Sequence, residues 1–307
     1  MTDFHILRSW RAQVAVDLGT AFIRVATSHG EISIFALDAA PQPPLRKGVV
    51  ADPQAVAEIL RPCLEKARRW GILGPRVFVG APTDMQESER DLLCAAMRAA
   101  GASEVEIIPE PRAAALGAAV DISSHYAQMI VDVGEGVTDC AILRTGGILV
   151  SSAARIGCAD LREQLRQGFL ASERINITSA EAARILMRVG VDGSDGVDEP
   201  VTINGSRSDV AAPVRVVVTQ AAIWAMLEPV VGRMVATAAD FLHSAPHDLG
   251  CEIIESGIVL TGGGSLVPGM GKRLAAATAI EVKTPPDALG VVLLGLRAML
   301  GERGGGE

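Results

Sequence analysis

Two aspartates, Asp17 and Asp132, each end a short apolar run and are followed two positions later by a glycine. The first run reads Val-Ala-Val-Asp17-Leu-Gly19-Thr20, the second Ile-Val-Asp132-Val-Gly134-Glu135-Gly136-Val-Thr138. A buried strand delivers its terminal carboxylate to a fixed point. The glycine lets backbone N–H groups approach a phosphate that a Cβ would hold off. One Asp-x-Gly turn is weak evidence, because hairpins carry it for structural reasons alone. Two, one near the start and one mid-chain, predict facing halves that pinch a phosphate-bearing ligand. Carboxylates presented from opposite halves suit a hydrated Mg2+ held between protein and phosphates.

Two further stretches join them. Thr261-Gly262-Gly263-Gly264-Ser265 lies between a predicted strand and a predicted helix, where backbone comes against a ligand at a helix N-terminus. Glu110 is fixed between Pro109 and Pro111 at a strand-to-helix junction. A carboxylate held there can orient a water or accept its proton. It can equally be an N-terminal helix glutamate favoured by the macrodipole, and from spacing the two readings stand level.

The elements that must position these residues repeat. Strands are predicted at 13–16, 22–27 and 32–37, then a helix over 53–70 capped by Asp52 with Pro53 at its first position. Pro62 inside it predicts a kink or break. A strand at 76–79, a helix at 87–100, a strand at 105–108 and an Ala-rich helix at 112–119 follow. From residue 129 the order begins again, with strands around the second turn and at 148–155, and helices at 159–171 and 179–188. This is an α/β chain built as a duplication of mixed-sheet halves. Residues 190–212 read as an excursion with a possible strand at 201–203, and 214–218 as another strand. The longest helix, 220–243, holds Pro229 and is expected to kink there. A strand at 257–260, a helix after Pro268, a strand at 281–283 and a last helix capped by Asp287 complete the chain.

The 307 residues are 49% hydrophobic and 21% charged, which predicts an ordered globular protein with ample core. Aromatics are 3%, so the core must be aliphatic. A formal charge of −8 argues against nucleic acid as a general partner. The five scattered cysteines show no metal or disulfide spacing and read as reduced thiols of a cytoplasmic protein. No run reads as long enough to cross a bilayer. Residues 1–11, with Phe4, Ile6, Leu7 and Trp10 among Arg8 and Arg11, read equally as a frayed terminus or a membrane-surface helix.

Taken together, five stretches in one order resemble the actin, heat-shock chaperone and sugar kinase ATPase superfamily, and within it the bacterial MreB-like family. They are Val16-Asp17-Leu18-Gly19-Thr20, Gly80-Ala81-Pro82-Thr83, the run Pro109-Glu110-Pro111-Arg112 to Gly117, residues 131–138, and residues 255–266. The resemblance implies an actin-like α/β ATPase fold, two duplicated domains with mixed central sheets around a nucleotide cleft. Domain I would take residues 1–126 and 286–307; domain II would take 127–285, with its outer part at about 179–256. It implies ATP and Mg2+ as cofactors, with Asp17 and Asp132 holding the metal through water. Gly19, Thr20, Arg24, Gly134, Glu135, Gly136 and Thr138 would surround the phosphates, and Glu110 with Asp132 would serve hydrolysis. Gly262, Gly263, Gly264 and Ser265 would hold adenosine, and Glu181 with Arg184 would reach ribose or base. A Glu and an Arg three apart on a helix also form ordinary surface pairs.

The chain departs from the family pattern in two places. Glu135 and Val137 stand where the family's second phosphate loop carries Gly and Thr, so a carboxylate lies beside the phosphates. Residues 38–51 and 190–212 are short for the peripheral subdomains. The expected function is a slow ATPase that assembles with itself into filaments serving cell shape or intracellular organisation, cytoplasmic or peripheral to the inner membrane, where residues 1–11 and membrane-bound proteins are candidate partners. The alternatives are a non-polymerising ATP-binding adaptor and, with less support, a small-molecule kinase.

Overall fold

The computed structural model describes residues 11–28, 30–37, 43–193, 198–210 and 212–300. The segment 1–11, read equally as a frayed terminus or a membrane-surface helix, lies outside them, apart from Arg11.

Each half is a five-stranded mixed sheet with the same plan. In the first, β1 (Gln13–Leu18) runs antiparallel to β2 (Phe22–Thr27), which pairs with β3 (Ile32–Ala36); on its other side β1 pairs in parallel with β6 (Arg76–Ala81), then β7 (Glu104–Pro109). In the second, β8 (Gln128–Val133) takes the place of β1. It is antiparallel to β9 (Thr138–Arg144), which pairs with β10 (Gly147–Ala154), and parallel to β14 (Ile258–Thr261), which pairs with β15 (Val282–Lys283). β1 and β8 are buried along almost their whole length, as central strands covered on both faces must be.

Between β3 and the next helix the described chain holds one small hairpin, β4 (Leu45–Arg46) with β5 (Val49–Val50). Helix α1 (Pro53–Lys66) begins as expected, with the Asp52 carboxylate accepting N–H bonds from Gln54 and Ala55. It stops four residues before the expected end. Trp70 and Gly71 adopt positive φ, and a bridge between Arg69 and Leu73 closes a tight turn that a helix cannot contain. It runs unbroken through Pro62, as does α6 (Gln220–Ser244) through Pro229, since one proline removes a single helical bond and packing on either side holds the rest.

The expected excursion in the second half is a hairpin, β12 (Pro200–Arg207) with β13 (Pro213–Thr219), joined by the short β11 (Ile175–Asn176). Helices α4 (Cys158–Glu173), α5 (Ser179–Val189) and α6 pack around it. By length and composition α6 could cross a membrane, contrary to the expectation that no segment could. Here it is a core helix that buries Ile223, Leu227, Val231 and Met234. Helix α7 (His247–Ser256) was not expected, because it has no side-chain cap and buries just Leu249 and Ile253. After α8 (Met270–Thr278), the last helix α9 (Val291–Ala298) starts after Gly290 rather than at Asp287; Asp287 instead accepts the Gly290 N–H from the preceding turn.

Two helices meet between the sheets. The Ala-rich α3 (Glu110–Gly117) packs on α9, which also contacts β1, β2 and β6, so the end of the chain returns to the first sheet. A Cβ on Gly117 would lie 1.8 Å from the Val291 oxygen, and one on Gly295 would lie 1.8 Å from the Ala113 oxygen. The two backbones therefore touch at glycines. A separate cluster of small and aliphatic side chains, including Ala15, Ala113, Ala114, Ala141 and Leu296, fills this middle layer.

Candidate functional site

The duplicated sheets bring the two Asp-x-Gly turns to one cleft of about 260 Å3. Asp17 and Asp132 each occupy the fifth position of a six-residue central strand, and both are buried. Glu110, the first residue of α3, joins them on the cleft wall with Gly19, Thr20, Gly134, Glu135, Gly136, Gly262 and Gly263.

Close contacts that only glycine allows fix the paths of the turns. The Thr20 hydroxyl accepts the Gly48 N–H at 3.0 Å. A Cβ on Gly136 would come within 2.7 Å of the Lys47 Cα. Gly262 has φ of +77°, and a Cβ there would sit 2.7 Å from Asp132 Oδ1, so no other residue fits.

The carboxylates differ in their partners. Asp17 Oδ2 accepts a bond from Arg24 Nη1 at 2.9 Å, and Asp132 Oδ1 accepts one from the Thr261 hydroxyl at 2.7 Å. Burial raises the pKa of Asp17 while Arg24 opposes it. Burial pushes Asp132 up to about 6, against the Thr261 bond. Glu110 is held well above the usual carboxylate range, first by desolvation and then by the charges of Asp132, Asp17 and Asp139. Such a concentration of oxygen donors calls for a hard cation. Among the described residues no three acidic, His or Cys side chains are close enough to bind a metal directly. Asp17 and Asp132, presented from the two halves onto one cleft, are oxygen donors of the kind a hydrated Mg2+ leaning on ligand phosphates would use.

The site includes residues that the sequence reading passed over. Asp139, on β9, lines the cleft and accepts bonds from the Thr83 N–H and hydroxyl of the opposite half at 2.8 and 2.6 Å; burial raises it to about 7. Arg162 on α4 pairs with Glu135. The cleft is also lined by Ala183, Leu186 and Met187, together with Leu266, Val267 and Leu289. Positions 183, 186 and 187 share one face of α5, a periodicity visible in the sequence.

Other expected site residues serve the framework. The Thr138 hydroxyl is buried and donates to the Ile156 carbonyl. Gly264 packs where a Cβ would lie 2.1 Å from a Val133 methyl, and the Ser265 hydroxyl donates to the Gly262 carbonyl. Neither Glu181 nor Arg184 is among the cleft-lining residues. Arg184 donates to both Glu181 oxygens and to the Thr202 carbonyl, while Glu181 accepts the Asn204 N–H, so the pair fastens α5 to β12.

The chain matches the MreB/Mbl protein family over residues 39–304. It belongs to the MreB/Mbl family. The cell shape-determining protein MreB of Escherichia coli K12 is 30% identical over 255 residues, 82% of this chain and 73% of that one. The structure of MreB 5 of Spiroplasma citri bound to AMPPNP superposes with a TM-score of 0.84 at 22% identity, covering 94% of this chain and 96% of that one. The MamK double helical filament gives 0.74 at 17%, covering 95% and 99%. These likenesses show the actin-like fold. Glu135, in the second Asp-x-Gly turn, is paired with Arg162.

Proposed function

We propose that this MreB/Mbl chain binds ATP with Mg2+ between its halves, hydrolyses it slowly and assembles with itself into cytoskeletal filaments. The carrying observation is the placement of Asp17 and Asp132 at equivalent strand ends on one cleft that Glu110 also lines. The AMPPNP in the Spiroplasma structure, the double helix of MamK and the cell-shape role of the Escherichia coli protein support the reading. Domain I comprises 1–126 and 286–307, and domain II 127–285.

In this reading the amides of Gly19, Thr20, Gly134 and Gly136 cradle the phosphates, and Gly262 and Gly263 lie against adenosine. Asp17 and Asp132 orient the metal's waters. Mg2+, when bound, supplies countercharge to the transferring phosphoryl group. Glu110 aligns the attacking water and takes its proton.

Attachment to a membrane surface is part of the same proposal. Besides residues 1–11, the turn after α1 exposes Trp70 and Ile72, 61% and 80% accessible, beside Arg68 and Arg69. An aromatic and an aliphatic side chain flanked by arginines suit an anionic lipid interface. Liposome flotation of the full chain tests this, with loss expected for Trp70→Ala combined with Ile72→Ala.

A second reading, a non-polymerising ATP-binding adaptor, is favoured by the small β4–β5 hairpin, the whole of the described structure between β3 and α1. Sedimentation with ATP and Mg2+ separates the two. Pelleting is expected, and none under any nucleotide condition would leave the adaptor.

A further inference from the structure

The second phosphate loop carries an acid where phosphates would sit, and the structure shows what makes that tolerable. Glu135 and Arg162, both on the cleft wall, form a two-pronged pair in which Arg162 Nη1 donates to Glu135 Oε2 at 3.1 Å and Nη2 to Oε1. Their side chains are 19% and 22% exposed, so solvent screens them only in part.

The loop is also tied to α4 through its backbone. The Gly134 carbonyl accepts the Cys158 N–H at 3.0 Å and the Glu135 carbonyl accepts the Ala159 N–H at 2.8 Å. Gly157 must lack a side chain, since a Cβ would lie 2.5 Å from the Glu135 oxygen. The start of α4 therefore sets the loop's path, and Arg162, one turn further on, sets its charge.

The cleft has little other positive charge to offer. The cations among its described lining residues are Arg24 and Arg162, facing Asp17, Glu110, Asp132, Glu135 and Asp139. Arg24 is engaged by Asp17.

We propose that Arg162 is a positioning residue for nucleotide phosphates, acting through Glu135: it cancels the loop's carboxylate and holds that side chain away from the phosphates. This rests on the reading of the cleft as a nucleotide site. Without Arg162 the Glu135 charge turns back on the ligand, and the penalty grows with the number of phosphates.

The test is a double-mutant cycle on the full chain with Mg2+, measuring Kd for ATP and ADP in the wild type, Arg162→Gln, Glu135→Gln and the double variant, with thermal melts as a fold control. R162Q is expected to weaken ATP at least tenfold and ADP less, and the double variant to return within about threefold of wild type. E135Q alone is expected to bind ATP at least as tightly as wild type. If R162Q does not fold, weaker ATP binding by E135Q overturns the proposal. Equal ATP affinity of R162Q and wild type, equal losses for ATP and ADP, or a double variant as weak as R162Q also overturns it. A wild type that binds neither nucleotide removes the cleft reading itself, an outcome distinct from these.

Discussion

Arg24 and Asp139 hold equivalent places in the two halves, each directly across a strand pair from a strand-end aspartate. Asp17 faces Arg24 across β1–β2, and Asp132 faces Asp139 across β8–β9. The same backbone plan puts a cation beside one aspartate and an acid beside the other. The first half thus carries its own countercharge, while the second turns Asp139 across the cleft to Thr83 and ties the halves together.

Replacing Arg24 by Met removes the group that opposes burial at Asp17, so the Asp17 pKa rises further. Mg2+-dependent ATP binding by R24M should be weakened most at low pH and recover as pH rises. Titrating ATP affinity at several pH values checks this, and a loss independent of pH would contradict it.

The ligand-free protein should be more stable near pH 5 than near pH 8. Asp132 and Asp139 have folded pKa values of about 6 and about 7, raised mainly by burial from 3.8. A raised carboxylate binds its proton more tightly when folded. Its stabilising contribution is complete below the unfolded pKa and is lost as pH climbs through the folded one. The fall should lie between about pH 4 and pH 7. Thermal melts across this window should show it, and Asp139→Asn should flatten it.

Glu110→Ala should spare ATP binding and cut phosphate release by about 10^2- to 10^4-fold. Proton acceptance needs the ionised form, and this carboxylate is held well above its usual range. Hydrolysis should therefore decline with falling pH at values well above those of an ordinary glutamate. Glu110→Gln should lack that limb. Unchanged turnover in either variant would remove Glu110 from the chemistry.

Gly295→Ala should destabilise the fold by about 1–3 kcal/mol or more, because the added carbon meets the Ala113 backbone oxygen at 1.8 Å and α3 must move away from α9. A melting temperature matching wild type would show that the two helices are not in backbone contact.

Glu181→Ala should leave ATP affinity unchanged and cost about 0.2–1 kcal/mol of stability, since its partners are Arg184 and Asn204 on the protein surface. A fall in affinity without loss of stability would instead support the nucleotide role that the resemblance implied.

The sequence by itself determined the strand-end aspartates and their glycines, the proline-framed Glu110, the Asp52 cap and the duplicated order of strands. All are local: they depend on which residues tolerate a given backbone angle, which N–H groups need a cap, and which spacing makes a buried strand. It missed what depends on distant partners. Asp139 meets Thr83 56 residues away, and Glu135 meets Arg162 27 residues away. No local pattern marks either pair, because each forms only when strands and helices from separate parts of the chain close on one another. The Glu181–Arg184 spacing is legible in the sequence, yet its attachment to β12 through Thr202 and Asn204 is set by packing. For α6, composition alone suits a membrane as well as a core; only the tertiary structure shows Ile223, Leu227, Val231 and Met234 buried in the second half's aliphatic cluster, because that face forms against residues distant in the chain.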